Sequence, residues 1–317
     1  MLPLAMIAGV SLFFLFHSAG PFKAGESGYF AFARNAQPAL VGLMLFLQFN
    51  VVAPSDMHLH KWHFELLGMQ ALLFLAFAFM STGVQEGGGK ILLESAMLCF
   101  ICPTAAAAGV ITSKIGGSLS GIITYTFFSD TLAALLIPLM VPIVHPAADI
   151  PYFNGFIMVV GRVFSVILLP CLLAWLIRYT LPPLQKWLAR YRNLSFYIWG
   201  ISLMLSISLA TKALMGSGIG VLTAVLIGMV SLACCLFQFW AGRKIARGYG
   251  HSESITAGQA FGQKNTGFII WLGFTFLTPV TSVAGGLYAI WHNLVNTWEL
   301  KRVDDRKQYA LKNDTAI

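Results

Sequence analysis

Ten apolar runs, most of them close to the length that crosses a lipid bilayer, follow one another along the chain. A membrane-spanning helix needs about 20 mostly apolar residues. Gly, Pro and charged clusters separate the runs, which cover approximately residues 2–17, 37–53, 63–82, 91–112, 118–143, 153–178, 195–213, 218–241, 253–278 and 280–300. The sequence therefore predicts an all-α polytopic membrane protein with ten transmembrane helices and a single integral domain over residues 1–317.

The composition excludes an ordinary soluble protein and indicates how the chain is oriented. Hydrophobic residues make up 57% of it and charged residues only 10%, against about 25% charged in a typical soluble domain. With the N-terminus inside, fourteen of the 20 Lys and Arg residues fall on cytoplasmic segments, four fall on the opposite side and two lie within spans. We therefore expect an inner (cell) membrane protein with both termini and a tail at 301–317 in the cytoplasm. The net charge of +8 reflects this orientation, and no nucleic-acid partner is expected.

Five predicted spans lie on each side of the connection at about residues 145–151. An odd number of spans per half forces the two halves into opposite orientations, as in inverted-repeat transporters. We therefore predict repeat one over about 1–149 and repeat two over about 150–300.

The fourth span of each half is interrupted. Span four contains Pro103 followed by the small residues of 104–109, and span nine carries the polar run Gln259–Gly267, with Lys264 near its centre. Such backbone is tolerated only inside the protein or beside a water-filled cavity, and a central Lys costs ~2.5–3.5 kcal/mol even on lenient scales. If both helices break, the N–H groups of each second half face the cavity and favour an anion. For span four alone, a Pro kink with small-residue packing is the alternative.

Several motifs resemble those of the bile acid:sodium symporter family. They are Cys102-Pro103 with the small residues after it, Gly262–Gly267, Pro279-Val280 leading to Trp291-His292-Asn293, and the Pro54-Ser55-Asp56 turn. The resemblance implies a panel domain (spans 1, 2, 6 and 7) and a core domain (spans 3–5 and 8–10), with spans four and nine unwound and crossing in the core. It also implies transport of an organic anion, such as a bile acid, a steroid sulfate, pantoate or another carboxylate.

The same resemblance assigns the substrate contacts. We expect them at two backbone segments and two residues of span ten: Ala106, Ala107, Ala108, Gly109, Asn265, Thr266, Gly267, His292 and Asn293. For His292, a hydrogen-bonded core histidine is an equal alternative.

The family's sodium ligands are largely absent. Family members use a Ser-Asn pair, two hydroxyls, a Glu and a Gln as sodium ligands. The corresponding positions here are Ala108, Gly109, Ile122, Thr126, Ala260 and Lys264. Only Thr126 among them keeps a side-chain oxygen, while Gln70 matches another ligand. By analogy with other hard cations, sodium requires several oxygen ligands. We therefore expect no cofactor and no sodium coupling of the family's usual kind.

We expect the Lys264 ammonium to take the place of sodium and to donate to Gln70 and to carbonyls freed by the break. The predicted ion or coupling site comprises Gln70, Thr126, Asp130, Gln263 and Lys264. Asp130 and Lys264 either form a static salt bridge that fixes the core or exchange a proton during transport.

Other functions are kept as alternatives. One is a sodium-coupled symporter whose ligands are mostly backbone carbonyls, and minor ones are a membrane-embedded enzyme or a sensor. Enzymatic activity is not expected, because the sequence has no Gly-x-Ser-x-Gly or His-Glu-x-x-His motif. The His-x-His-x-x-His cluster ending at His63 is interpreted as an interfacial loop and not as a metal site. The bilayer and a small organic anion are the expected partners, and the oligomeric state is left open.

Overall fold

The computed structural model describes residues 2–18, 20–105, 108–146, 151–191, 194–216 and 218–314. Helices account for 87% of these residues and no strand is present among them, which confirms the all-α class. The helices are α1 (Leu2–Ser18), α2 (Gly20–Lys23), α3 (Glu26–Phe49), α4 (Lys61–Thr82), α5 (Gly88–Ile101), α6 (Ala108–Lys114), α7 (Leu119–Val144), α8 (Tyr152–Thr180), α9 (Pro182–Ala189), α10 (Leu194–Gly216), α11 (Val221–Ile245), α12 (His251–Gly262), α13 (Thr266–Phe276) and α14 (Ser282–Asp314). Three short 3-10 turns lie at Pro54–Asp56, Ala246–Tyr249 and Pro279–Thr281.

Six helical segments in the described ranges are long and apolar enough to cross a membrane, and together they indicate a membrane-embedded protein. They are Glu26–Phe49, Lys61–Thr82, Leu119–Val144, Tyr152–Thr180, Tyr197–Gly216 and Val221–Tyr249. Large apolar side chains such as Leu72 on α4 and Leu222 on α11 remain exposed on these helices, as expected where lipid replaces water as the solvent.

Two groups of helices pack together. In the first, α10 packs on α1 and α3, and α3 packs on α8. In the second, α4 packs on α5 and α7, while α11 packs on α5, α12 and α14. The groups meet where α7 packs on α8 and where α13 packs on α3 and α10. The contacts of α13 place the second broken segment at this boundary.

Two helix boundaries differ from the sequence-based ones. The second apolar helix begins at Glu26 and not at residue 37, because Glu26 is hydrogen-bonded to His17 Nδ1 at 3.0 Å and forms an ion pair with Lys212, and these contacts hold its polar first turn. The last helix continues through the predicted tail as far as Asp314. Residues 301–314 are rich in helix-forming Lys, Arg, Gln, Ala and Leu, and Lys301 and Asp305 have the i, i+4 spacing that stabilises an exposed helix.

Candidate functional site at two paired helix breaks

Both interrupted spans are broken, and their breaks lie against each other. Helix α5 ends at Ile101 before Pro103, and α6 begins at Ala108. Helix α12 ends at Gly262, and α13 begins at Thr266. Pro103 ends α5 because it has no N–H to donate and because it disfavours helical backbone in the residue before it.

The two breaks pair as a short antiparallel bridge between Thr104 and Lys264. The Ala105 N–H donates to the Gln263 carbonyl at 3.0 Å, and the Asn265 N–H donates to the Pro103 carbonyl at 2.9 Å. Cys102 adds a thiol contact to the Asn265 carbonyl at 3.0 Å. Backbone groups that would be costly in hydrocarbon are therefore satisfied by the opposite break.

Each of the last four carbonyls of α5 has a partner. The Leu98 carbonyl accepts from the Cys102 N–H at 3.1 Å, and the Cys99 carbonyl accepts from Gln238 Nε2 at 3.2 Å. Lys264 Nζ donates to the Phe100 carbonyl at 3.4 Å, and Gln70 Nε2 donates to the Ile101 carbonyl at 3.0 Å. The Lys264 ammonium thus caps the negative end of a helix that belongs to the other half of the chain.

The carbonyls at the end of α12 are also capped by residues that are distant in sequence. Thr104 Oγ1 donates to the Ala260 carbonyl at 2.7 Å, and the Tyr288 hydroxyl donates to the Gly262 carbonyl at 2.8 Å. Thr104 of the first break therefore caps α12, while Lys264 of the second break caps α5. The capping is reciprocal, so neither break is complete without the other.

Lys264 is fully buried, and its surroundings differ in part from those expected. Its Nζ also lies 4.9 Å from the centroid of the Phe261 ring. The expected carbonyl contact is present, but Gln70 is not its partner. Gln70 Oε1 instead accepts from the Tyr125 hydroxyl at 2.9 Å and from the Ser129 hydroxyl at 3.1 Å.

The other predicted ion-site residues make separate contacts. Thr126 Oγ1 donates to the Ile122 carbonyl of its own helix at 2.8 Å. Asp130 is buried, and neither carboxylate oxygen has a hydrogen-bond partner in the described ranges. The salt bridges found there do not join Asp130 to Lys264. The static-bridge alternative therefore has no support from these contacts.

A small cavity lies against the second break, between the two helix groups. It has room for about one water molecule, at about 10 Å³. Its lining residues come from α3, α10 and both breaks: Met44, Ala105, Trp199, Ser202, Leu203, Lys264, Asn265, Thr266 and Gly267. Of the predicted substrate contacts, Asn265, Thr266 and Gly267 line this cavity.

Residues with free hydrogen-bond donors line the cavity. Asn265 caps α13 by accepting the Phe268 N–H at 3.2 Å, which leaves its Nδ2 buried with no acceptor among the described residues. Thr266 and Gly267 form the first turn of α13, where backbone N–H groups have no acceptor within the helix. An unpartnered amide, a helix N-terminus and the nearby Lys264 charge together favour an anion.

The remaining predicted contacts lie elsewhere. His292 accepts the Lys264 N–H at 3.4 Å through Nδ1, which is the hydrogen-bonded core position considered above. Asn293 donates to the Ala289 carbonyl of its own helix at 2.7 Å. Ala108 and Gly109 lie on α6 and do not line the cavity, and Ala106 and Ala107 lie outside the described residues.

A polar chain that sequence reasoning missed leads from the break to the protein surface. Gln263 donates to Gln259 on the same helix, Gln259 Nε2 donates to Glu299 Oε2 at 2.7 Å, and Arg243 forms an ion pair with Glu299. Glu299 lies near the end of an apolar run, and no role was predicted for it. The i, i+4 spacing of Gln259 and Gln263 was the available signal, since it places two amides on one face of a buried helix.

Two polar residues near the ends of apolar runs are buried, and the expectation of an interfacial position is wrong for the first of them, His63. His63 accepts the His60 N–H at 2.9 Å through Nδ1, and its Nε2 lies 3.0 Å from the Gly121 carbonyl. Glu94 contacts His145 and accepts the Thr278 N–H at 3.3 Å. Both side chains join helices of the second group.

Comparison with known proteins gave no relatives. No family model matches the chain, and no curated protein matches its sequence. The functional argument therefore depends on the geometry of the paired breaks and on the motifs described above.

Proposed function

We propose that the protein is a secondary carrier of the bile acid:sodium symporter type, which moves an organic anion across the inner membrane by alternating access. The observation that carries the proposal is the cavity beside the paired breaks, bounded on its other side by α3 and α10. These two helices correspond to predicted panel spans, and both breaks correspond to predicted core spans. A site at the boundary between two bodies is where relative motion would open it to each side in turn.

The helix pattern is compatible with ten crossings. The six long helices would each cross once, as would α1 and α14, and the pairs α5 with α6 and α12 with α13 would each cross as a broken helix. In this arrangement both termini lie in the cytoplasm. The cavity would then represent a closed state, because about 10 Å³ is far too small for a carboxylate.

We propose that the anion is held by Asn265 Nδ2 and the first N–H groups of α13, with the Lys264 charge behind them. This arrangement would bind a carboxylate or sulfonate without a basic side chain in direct contact. Lys264 would act as a fixed cation where family members bind sodium. The occupied carbonyls of α5 favour this proposal over a sodium site built from backbone oxygens, because they already have donors.

The first experiment is a screen for thermal stabilisation of the purified protein by carboxylates and sulfonates, in sodium and in choline buffers. A ligand that binds the folded state raises the apparent melting temperature. A stabilising compound is then tested for uptake and counterflow in proteoliposomes. Uptake that is equal with and without a sodium gradient is expected, and strong sodium dependence would contradict the role proposed for Lys264.

The matched variants are Lys264→Gln and Lys244→Gln. Both remove one ammonium, but Lys244 is exposed at the end of α11 and does not line the cavity. Lys264→Gln should reduce uptake at least tenfold or make it depend on sodium, because it removes the cation that caps α5. Lys244→Gln should transport normally. Wild-type uptake by Lys264→Gln would contradict the proposal.

A further inference from the structure

A second cavity lies at the junction of α11 and α12, away from the paired breaks. Its volume is about 590 Å³, and its walls include Arg243, Lys244, Arg247 and His251, with Trp240 at one side. It adjoins the C-terminal end of an apolar helix that is long enough to cross a membrane. If α11 crosses the membrane, a basic pocket at its end would face the headgroup region of the bilayer.

The pocket holds more positive than negative charge. Glu299 pairs with Arg243, and Glu253 in the first turn of α12 is bonded to Trp62 Nε1 at 2.8 Å. Lys244 and Arg247 are exposed and form no salt bridge within the described ranges. Lys244 Nζ lies 4.6 Å from the centroid of the Trp240 ring.

The beginning of α12 adds further donors to the same pocket. Gly250 and His251 line it and form the N-terminus of this 12-residue helix. Gly250 has φ +113°, a conformation that allows the chain to turn sharply from α11 into α12. Free N–H groups in the first turn of a helix favour phosphate oxygens.

An exposed apolar stripe on α11, next to the pocket, favours a lipid over a soluble phosphate as the ligand. Val225, Met229, Leu236 and Trp240 on α11 are 52%, 61%, 51% and 55% exposed. Their spacing of four, seven and four residues places them along one side of the helix, and Lys244 follows four residues later. An acyl chain can lie along this stripe while its headgroup phosphate reaches the basic residues.

We propose that this pocket binds the headgroup of an anionic phospholipid, with an acyl chain against the exposed stripe of α11. Lys244, Arg247 and the N-terminus of α12 contact the phosphate. Arg243 is paired with Glu299 and becomes available to the phosphate when Glu299 is replaced by Gln. Clusters of basic residues at the membrane surface recognise anionic lipids through this kind of contact. The inference does not depend on transport, so it can fail while the proposed function stands.

The test measures lipid binding to the full-length protein in detergent by native mass spectrometry, with thermal stabilisation as a second readout. The probes are dioleoylphosphatidylglycerol, dioleoylphosphatidylcholine and inorganic phosphate. The pocket variant is Lys244→Gln with Arg247→Gln. Its matched control is Lys186→Gln with Arg190→Gln, which removes one exposed cation from α9 and one from the residue that follows it.

Wild type and control should bind phosphatidylglycerol alike, and the pocket variant should bind it about 30-fold more weakly, from two lost surface contacts. Glu299→Gln should bind it more tightly, which keeps the proposal testable if the pocket variant does not fold. Equal weakening in pocket and control variants would overturn the proposal. Equal affinity for phosphatidylcholine, or equal stabilisation by inorganic phosphate, would also overturn it.

Discussion

Replacing Gln70 with Leu should destabilise the region around the first break by an amount that the structure specifies. The Gln70 side chain is buried and makes three hydrogen bonds, to Tyr125, to Ser129 and to the Ile101 carbonyl. Leu has a similar size and can form none of them. Hydrogen bonds between transmembrane helices average about 0.6 kcal/mol each. The three together give a loss of about 2 kcal/mol, and more if the Ile101 carbonyl finds no other donor.

The five cysteines provide the assay, because all of them are buried. A maleimide dye that fluoresces on reaction with thiols reports unfolding as the protein is heated. A loss of about 2 kcal/mol should lower the apparent melting temperature of a chain of this length by about 3 °C. Gln48→Leu on α3 is the control, since Gln48 Oε1 is buried without a partner in the described ranges. That variant should melt at or above the wild-type temperature. Equal shifts for the two variants, or no shift for Gln70→Leu, would refute the reasoning.

Three glycine substitutions test close packing and function separately. Gly242→Ala should cost about 3 kcal/mol, because a Cβ there would lie 2.3 Å from the Ala257 carbonyl oxygen, which is backbone and cannot turn away. Gly161→Ala in the interior of α8, with no atom within 4 Å of its Cβ, should leave the melting temperature unchanged or raised; similar losses for both would contradict this account. Gly267→Ala should slow transport more than it lowers stability, because its Cβ would lie 2.7 Å from the flexible Gln37 amide at the boundary of the two helix groups. Unchanged uptake by this variant would exclude the cavity as the transport route.

The positions of the two breaks could be predicted from the sequence because each contains a residue that is unfavourable inside an apolar transmembrane helix. Pro103 removes a donor from an apolar run, and Lys264 brings a charge into another. Local signals of this kind do not depend on the rest of the fold. No such signal marks Glu299, because an acid near the end of an apolar run has the same local appearance whether it faces lipid headgroups or a buried amide.

The partners of the breaks could not be predicted, because they lie far away in sequence. Lys264 contacts Phe100, and Thr104 contacts Ala260, across separations of 164 and 156 residues. Which carbonyl receives which donor depends on how two helices cross, and side-chain type alone does not determine it. The prediction that Lys264 would reach freed carbonyls followed from chemistry, whereas its pairing with Gln70 required geometry that the sequence does not contain.

Reciprocal capping has a mechanical consequence for a carrier. The free backbone groups of a broken helix in a membrane need hydrogen-bond partners. A partner that belonged to the other helix group would be lost whenever the two groups moved apart. Here the caps of α5 and α12 come from the two breaks and from α4, α11 and α14, all within the second group. The first group meets the second break mainly through side chains and the glycine at 267, around the cavity. The caps of the paired breaks therefore do not depend on the first group, which is what the proposed movement of one group against the other requires.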